Sequence, residues 1–170
     1  PDDKYVASGS ADGQILLWDA HTGAIVQSLQ GHSEGVNTLA FSPDGLSLAS
    51  GSVDKTVILW KVPGGEEMQV LTEHRRAISE VVFSPDGAIL ACSSQDSTIT
   101  IWDAQSGELV RSLVANVSKD LPAGFTSVTF SPGGELLAAG SAKGLVLWDA
   151  SLAIESIVWV ELRNINGNVL

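Results

Sequence analysis

The sequence predicts an all-β fold made of four copies of one small antiparallel unit, and three observations predict it. Trp18, Trp60, Trp102 and Trp148 each follow an aliphatic residue, at spacings of 42, 42 and 46 residues. Phe41, Phe83 and Phe130 each precede Ser-Pro, at spacings of 42 and 47. Each period also holds the same grammar, short alternating runs separated by turns rich in Gly, Pro and Asp. Two independent markers with one period identify an internal repeat, and a repeat of this length implies stacked units.

The second repeat shows the elements in order. Residues 36–41 (VNTLAF) alternate apolar with small or polar side chains, which is strand periodicity. Ser42-Pro43-Asp44-Gly45 is a turn signature. Residues 46–50 predict a second strand, and 51–55 a second turn. Residues 56–60 predict a third strand, rich in β-branched side chains. Pro63-Gly64-Gly65 turns again, and 68–71 predict the fourth. Such a four-stranded meander is too small to bury both of its faces. Stacking the units around an axis solves this, which is the logic of a propeller.

Gly31-His32 opens one repeat, and Trp18-Asp19, Trp102-Asp103 and Trp148-Asp149 close third strands. Ser-Pro-Asp-Gly stands at 42–45 and 84–87. In this combination the chain resembles the WD-repeat β-propellers over about residues 1–150. The resemblance implies about four blades of four antiparallel strands, half of a larger propeller or a fragment of one. The expected division is 1–30 for a first repeat lacking its first strand, 31–72 for the second and 73–115 for the third. A degenerate fourth repeat follows at 116–156, with its own fourth strand at 152–156. Residues 157–170 would then form an extra first strand that closes or continues the ring.

A Ser, a His and an Asp within one repeat invite a hydrolase reading. The resemblance implies a structural tetrad instead, running from Trp to Ser to His to Asp. In the second repeat it is Trp60, Ser50, His32 and Asp54. The first repeat matches with Ser8, Asp12 and Trp18, its His position lying before residue 1. The third matches with His74, Asp96 and Trp102, with Cys92 in the Ser position. The fourth keeps Trp148, but Ala139 replaces the Ser, Lys143 stands where the Asp belongs, and an insertion at 116–124 replaces Gly-His. A catalytic triad is not copied unit by unit, whereas a scaffold is. The fourth blade is accordingly expected to be the least rigid.

Other chemistry is sparse. His32 and His74 lie on different repeats with no thiolate or carboxylate cluster, so no metal site is expected. Cys92 reads as a small buried hydrophobe in a strand rather than a nucleophile. The Gly-rich turns lack the Gly-Lys-Ser/Thr ending of a phosphate loop. Asn116-Val117-Ser118 fits a glycosylation sequon, relevant only to a secreted chain. No catalytic residue and no cofactor is expected. An enzyme with a site in the central channel is the most remote reading.

The bulk numbers agree with a binding module. Hydrophobic residues make up 44% of the 170 and charged residues 17%, which suits a chain with a core. The net charge of −11 argues against nucleic acid and against anionic membranes as partners. One cysteine permits no internal disulfide, so a cytoplasmic setting is expected. No apolar run reaches the roughly 20 residues of a membrane helix.

The expected function is therefore a scaffold for a protein or peptide, within a larger signalling assembly. In the resembled family the face carrying the His loop and the Asp turn commonly binds peptides. Carried onto this chain, that face holds Glu34, Val53, Arg75, Arg76, Gln95 and Lys143, with the arginines as the strongest candidates. The alternative is a half-propeller that assembles with a second copy into an eight-bladed ring, or with further blades of a parent chain.

Overall fold

A computed structural model describes residues 1–114, 124–142 and 144–150. These form four antiparallel sheets, here called blades, and contain no helix. Blade 1 has β1 (Tyr5–Gly9), β2 (Ile15–Asp19) and β3 (Ile25–Leu29). Blade 2 has β4 (Val36–Phe41), β5 (Ser47–Ser52), β6 (Val57–Lys61) and β7 (Glu67–Leu71). Blade 3 has β8 (Ile78–Phe83), β9 (Ile89–Ser94), β10 (Thr98–Asp103) and β11 (Leu109–Val114). Blade 4 has β12 (Phe125–Phe130), β13 (Leu136–Ser141) and β14 (Gly144–Asp149) among the described residues. Strands pair strictly with their chain neighbours, as in a meander. The strands expected at 152–156 and 157–170 lie outside the described residues, as does the tripeptide 116–118.

The strand ends differ slightly from the sequence reading. The second strand of blade 2 starts at Ser47 rather than Leu46, whose amide is held in the turn by Asp44 Oδ1 at 3.0 Å. The third starts at Val57 because the Thr56 amide is held by Asp54 Oδ1 at 2.9 Å. In both places a turn carboxylate competes with the ladder for a backbone donor. A register shift recurs before the tryptophan of each third-to-fourth strand pair, at Leu17/Trp18, Leu59/Trp60 and Ile101/Trp102. Such bulges increase local twist, and blades 1, 2 and 3 repeat the device.

Alternation along the strands gives every blade two apolar faces, and the blades stack face to face. The leading face of blade 2 carries Leu48, Ser50, Ile58 and Trp60. Its apolar members share one buried cluster with Ile15, Leu17 and Leu29 of blade 1. The trailing face of blade 2, Ala49, Val57, Leu59 and Leu71, meets Leu90, Cys92 and Trp102 of blade 3. Blade 3 in turn gives Ala91, Ile99 and Leu113 to Phe125, Leu137, Ala139 and Trp148 of blade 4. Leu48 and Ile58 are 0% and 2% exposed, so each contributes about 2 kcal/mol by leaving water.

Side chains stitch neighbouring blades as well. Near the axis, Asn37 Nδ2 donates to Ile78 O at 2.8 Å, and the Val128 amide donates to Glu80 Oε2 at 2.8 Å. On the outer rim Gln27 donates to Gly64 O, and the equivalent Gln69 donates to Gln105 O.

Candidate functional site

The His loops and Asp turns gather at one end of the blades, and buried polar chains hold them there. In blade 2 Trp60 Nε1 donates to Ser50 Oγ at 2.8 Å, Ser50 Oγ lies 2.7 Å from His32 Nε2, and His32 Nδ1 lies 3.0 Å from Asp54 Oδ2. An ionised Asp54 only accepts, so Nδ1 carries a proton toward it. In the singly protonated ring, Nε2 then accepts from the Ser50 hydroxyl. Asp54 also accepts from the Ser33 amide, the Thr56 amide and the Thr56 hydroxyl. Burial pushes its carboxyl up, but these hydrogen bonds outweigh burial and leave it below its ordinary value.

Blade 3 builds the same chain with one substitution that adds to the sequence reading. Cys92 occupies the Ser position, but its thiol does not take the Ser role. Trp102 Nε1 donates to Thr100 Oγ1 at 2.7 Å, and Thr100 Oγ1 lies 2.8 Å from His74 Nε2. Thr100 is the cross-strand partner of Cys92, standing where blade 2 has Ile58 opposite Ser50. The hydroxyl has moved across the strand pair while keeping its place in space. His74 Nδ1 lies 3.1 Å from Asp96 Oδ2, which also accepts from the Arg75 amide at 2.8 Å. Burial raises the Asp96 carboxyl too. Thr98, the Arg75 amide and the His74 charge more than reverse this. Burial pushes the Cys92 thiol far up, which suits an inert side chain.

Blades 1 and 4 hold parts of the chain. In blade 1 Trp18 Nε1 donates to Ser8 Oγ at 2.9 Å, while exposed Asp12 bonds within its own turn to the Gln14 amide. In blade 4 Ala139 and its partner Val146 both lack a hydroxyl. Trp148 Nε1 is buried with no hydrogen-bond partner among the described residues. The ring of Trp148 instead meets Phe125 edge-on, with centroids 5.9 Å apart.

Thr100, Thr56 and Thr98 are the site residues that sequence reasoning missed. A hydroxyl two residues before Trp102, in the repeat that lacks the Ser, was the available signal for Thr100.

These chains tie each loop to one turn. The Val53 amide and Ser52 Oγ both donate to Gly35 O at 2.9 Å, next to exposed Glu34. The Gln95 amide and Ser94 Oγ donate to Ala77 O at 3.1 and 3.0 Å, next to exposed Arg75 and Arg76. Of the predicted surface set, Glu34 and Val53 therefore share one bolted loop-and-turn unit. Arg75, Arg76 and Gln95 share the next. Lys143 lies outside the described residues.

A cavity of about 550 Å³ lies at the other end of the seam between blades 3 and 4. It is lined by Ile101, Leu113, Phe130 and Trp148, with Arg111 and Glu135 among its polar groups. Among the described residues no group of three or more His, Cys, Asp or Glu could hold a metal ion.

The profile of the family described as "WD domain, G-beta repeat" matches residues 1–19, 23–61, 65–103 and 107–149. The chain belongs to the WD-repeat family. Single-repeat stretches of it resemble larger proteins. One is 42% identical over 45 residues to Protein groucho of Drosophila melanogaster, covering 26% of this chain and 6% of that one. Another is 44% identical over 41 residues to Nuclear distribution protein PAC1 of Coprinopsis cinerea, covering 24% and 9%. A third is 41% identical over 44 residues to the U5 small nuclear ribonucleoprotein 40 kDa protein of Pongo abelii, covering 26% and 12%. The matched stretch is thus a small part of each relative. Membership in the WD-repeat family carries the coarse function, a scaffold for protein–protein interaction.

Proposed function

We infer that the chain displays its loop-and-turn end to a protein or peptide partner, as a platform within a larger regulatory assembly in the cytoplasm. One observation carries this. The segments bearing Arg75, Arg76 and Gln95 are fixed to blade 3 by the Asp96 carboxylate and by Ala77 O, while their side chains face solvent. A surface held rigid before binding loses little entropy on binding. Arginine is also among the residue types that dominate interface energetics.

The test is the double variant Arg75→Glu, Arg76→Glu. A partner captured from cell extract by the wild-type chain should bind the variant at least tenfold more weakly, while the unfolding midpoint stays the same. Unchanged affinity would remove the two arginines from the site.

A further inference from the structure

Resting on the reading that the loop-and-turn end meets a protein partner, we propose that the joint between blades 2 and 3 at that end takes an acidic peptide segment, held by Lys55, Arg75 and Arg76. The joint between blades 1 and 2 is the internal reference, because both are built on one backbone frame. The Ser33 amide donates to Asp54 Oδ2 and the Arg75 amide to Asp96 Oδ2. Glu34 O accepts from Ser52 Oγ and Arg76 O from Ser94 Oγ, both at 3.1 Å. In the turns of the preceding blades, the Gly13 amide donates to Ser10 O and the Lys55 amide to Ser52 O, both at 3.2 Å. Gly51 lies against Ile78 as Gly9 lies against Val36. Gly13 in turn lies against the backbone of His32 and Glu34. By the same frame Lys55 stands at the loop that carries Arg75 and Arg76.

The frame is shared and the chemistry is not. Gly13, Ser33 and Glu34 at the first joint become Lys55, Arg75 and Arg76 at the second. Three of the nine lysines and arginines thus meet at one place in a chain of net charge −11. All three are exposed, and none forms an ion pair among the described residues. Glu73, also exposed, is the one acid of that loop. The carboxylates of Asp54 and Asp96 are already taken up by histidine and by turn donors. Packing does not require the cations, since the first joint stands without them. Lys55 also holds a φ of 76° where blade 1 has Gly13 at 87°. That left-handed conformation strains lysine and not glycine, so the backbone does not require the lysine either. Three cations free of ion pairs among the described residues, on a frame already fixed, suit charge-assisted hydrogen bonds to anionic side chains. The acidic remainder of the molecule repels a long polyanion such as nucleic acid, whereas a peptide carries few charges and can keep them at the joint.

Fluorescence anisotropy of a labelled peptide with consecutive glutamates, titrated with the full 170-residue chain, tests this. The same peptide with phosphoserines in those places separates phosphate from carboxylate as the preferred anion. Binding should weaken as salt rises, because exposed charges are screened. Arg75→Ser with Arg76→Glu copies the loop that leads into blade 2 and should weaken binding by about tenfold or more, and Lys55→Gly, which copies the turn of blade 1, by about threefold. Both changes place residues where the repeat already accepts them, so the unfolding midpoint should not fall. The reverse transplant, Ser33→Arg with Glu34→Arg, should create a second, weaker peptide site, a gain that a purely structural role of the arginines does not produce. Equal binding by the wild type and the Arg75→Ser, Arg76→Glu variant would overturn the joint as the site. Failure of both peptides to bind, with partner capture still lost in Arg75→Glu, Arg76→Glu, would overturn the acidic ligand and leave the platform standing. A DNA oligomer of equal charge that binds more tightly than either peptide would overturn the choice of a peptide.

Discussion

Blades 2 and 4 present their tryptophans on the same leading face in the same register, yet treat the indole N–H in opposite ways. Trp60 passes its hydrogen bond through Ser50 and His32 to Asp54 and so to the loop amides. Trp148 is buried equally well, at 3% exposure, and its N–H meets no acceptor among the described residues. The aliphatic packing is thus separable from the polar chain. Packing stacks the blade, and the polar chain fixes the loops at its end. A blade can lose the second and keep the first.

The largest effect should come from cutting the chain where it branches. Asp54→Ala leaves His32, Thr56 and the Ser33 amide without their acceptor, and should cost about 3 kcal/mol of unfolding free energy in a denaturant titration. A loss under about 1 kcal/mol would mean that packing alone holds blade 2. The reverse experiment is Ala139→Ser, which returns a hydroxyl to the position of Ser50. Satisfying the Trp148 donor should add about 1 kcal/mol and slow amide exchange in β12–β14. Exchange unchanged in those strands would show that the orphaned donor is not what separates the two blades.

The smallest effect concerns acid. The folded-state values of Asp54 and Asp96 lie below the ordinary carboxylate value of about 3.9. Their contribution is present in full above that value and is lost as pH falls through the folded-state ones. Asp54→Asn with Asp96→Asn should make the loss of stability below about pH 4 shallower. The turn carboxylates Asp12, Asp19, Asp44, Asp86 and Asp103, also lowered, would supply the remaining slope. An identical acid profile would place all the dependence on those exposed turns.

The architecture was legible because its causes are periodic. Trp18, Trp60 and Trp102 recur at one spacing since every blade must fill the same seam, and the Pro-Asp-Gly turns recur since every blade must reverse at the same place. The polar chains were legible in blade 2, where all four members stand at their usual offsets. Thr100 was not, because the network needs an oxygen at a point in space. Cross-strand pairing lets either of two sequence positions supply it. The cavity between blades 3 and 4 was equally out of reach, since its lining comes from strands that meet only after folding. The arginine pair was visible as charge, but its rigidity depends on Asp96 and Ala77 O, which linear reading does not bring beside it.

The loop carrying Arg75 and Arg76 leaves blade 2 after Leu71 and is bolted to blade 3 through Asp96. In mechanical terms the described blades are a row of plates, and this loop crosses the seam between two of them. A partner that grips the two arginines while resting on the turn around Val53 would span two plates and act as a splint. Occupancy there would brace that seam without altering either blade.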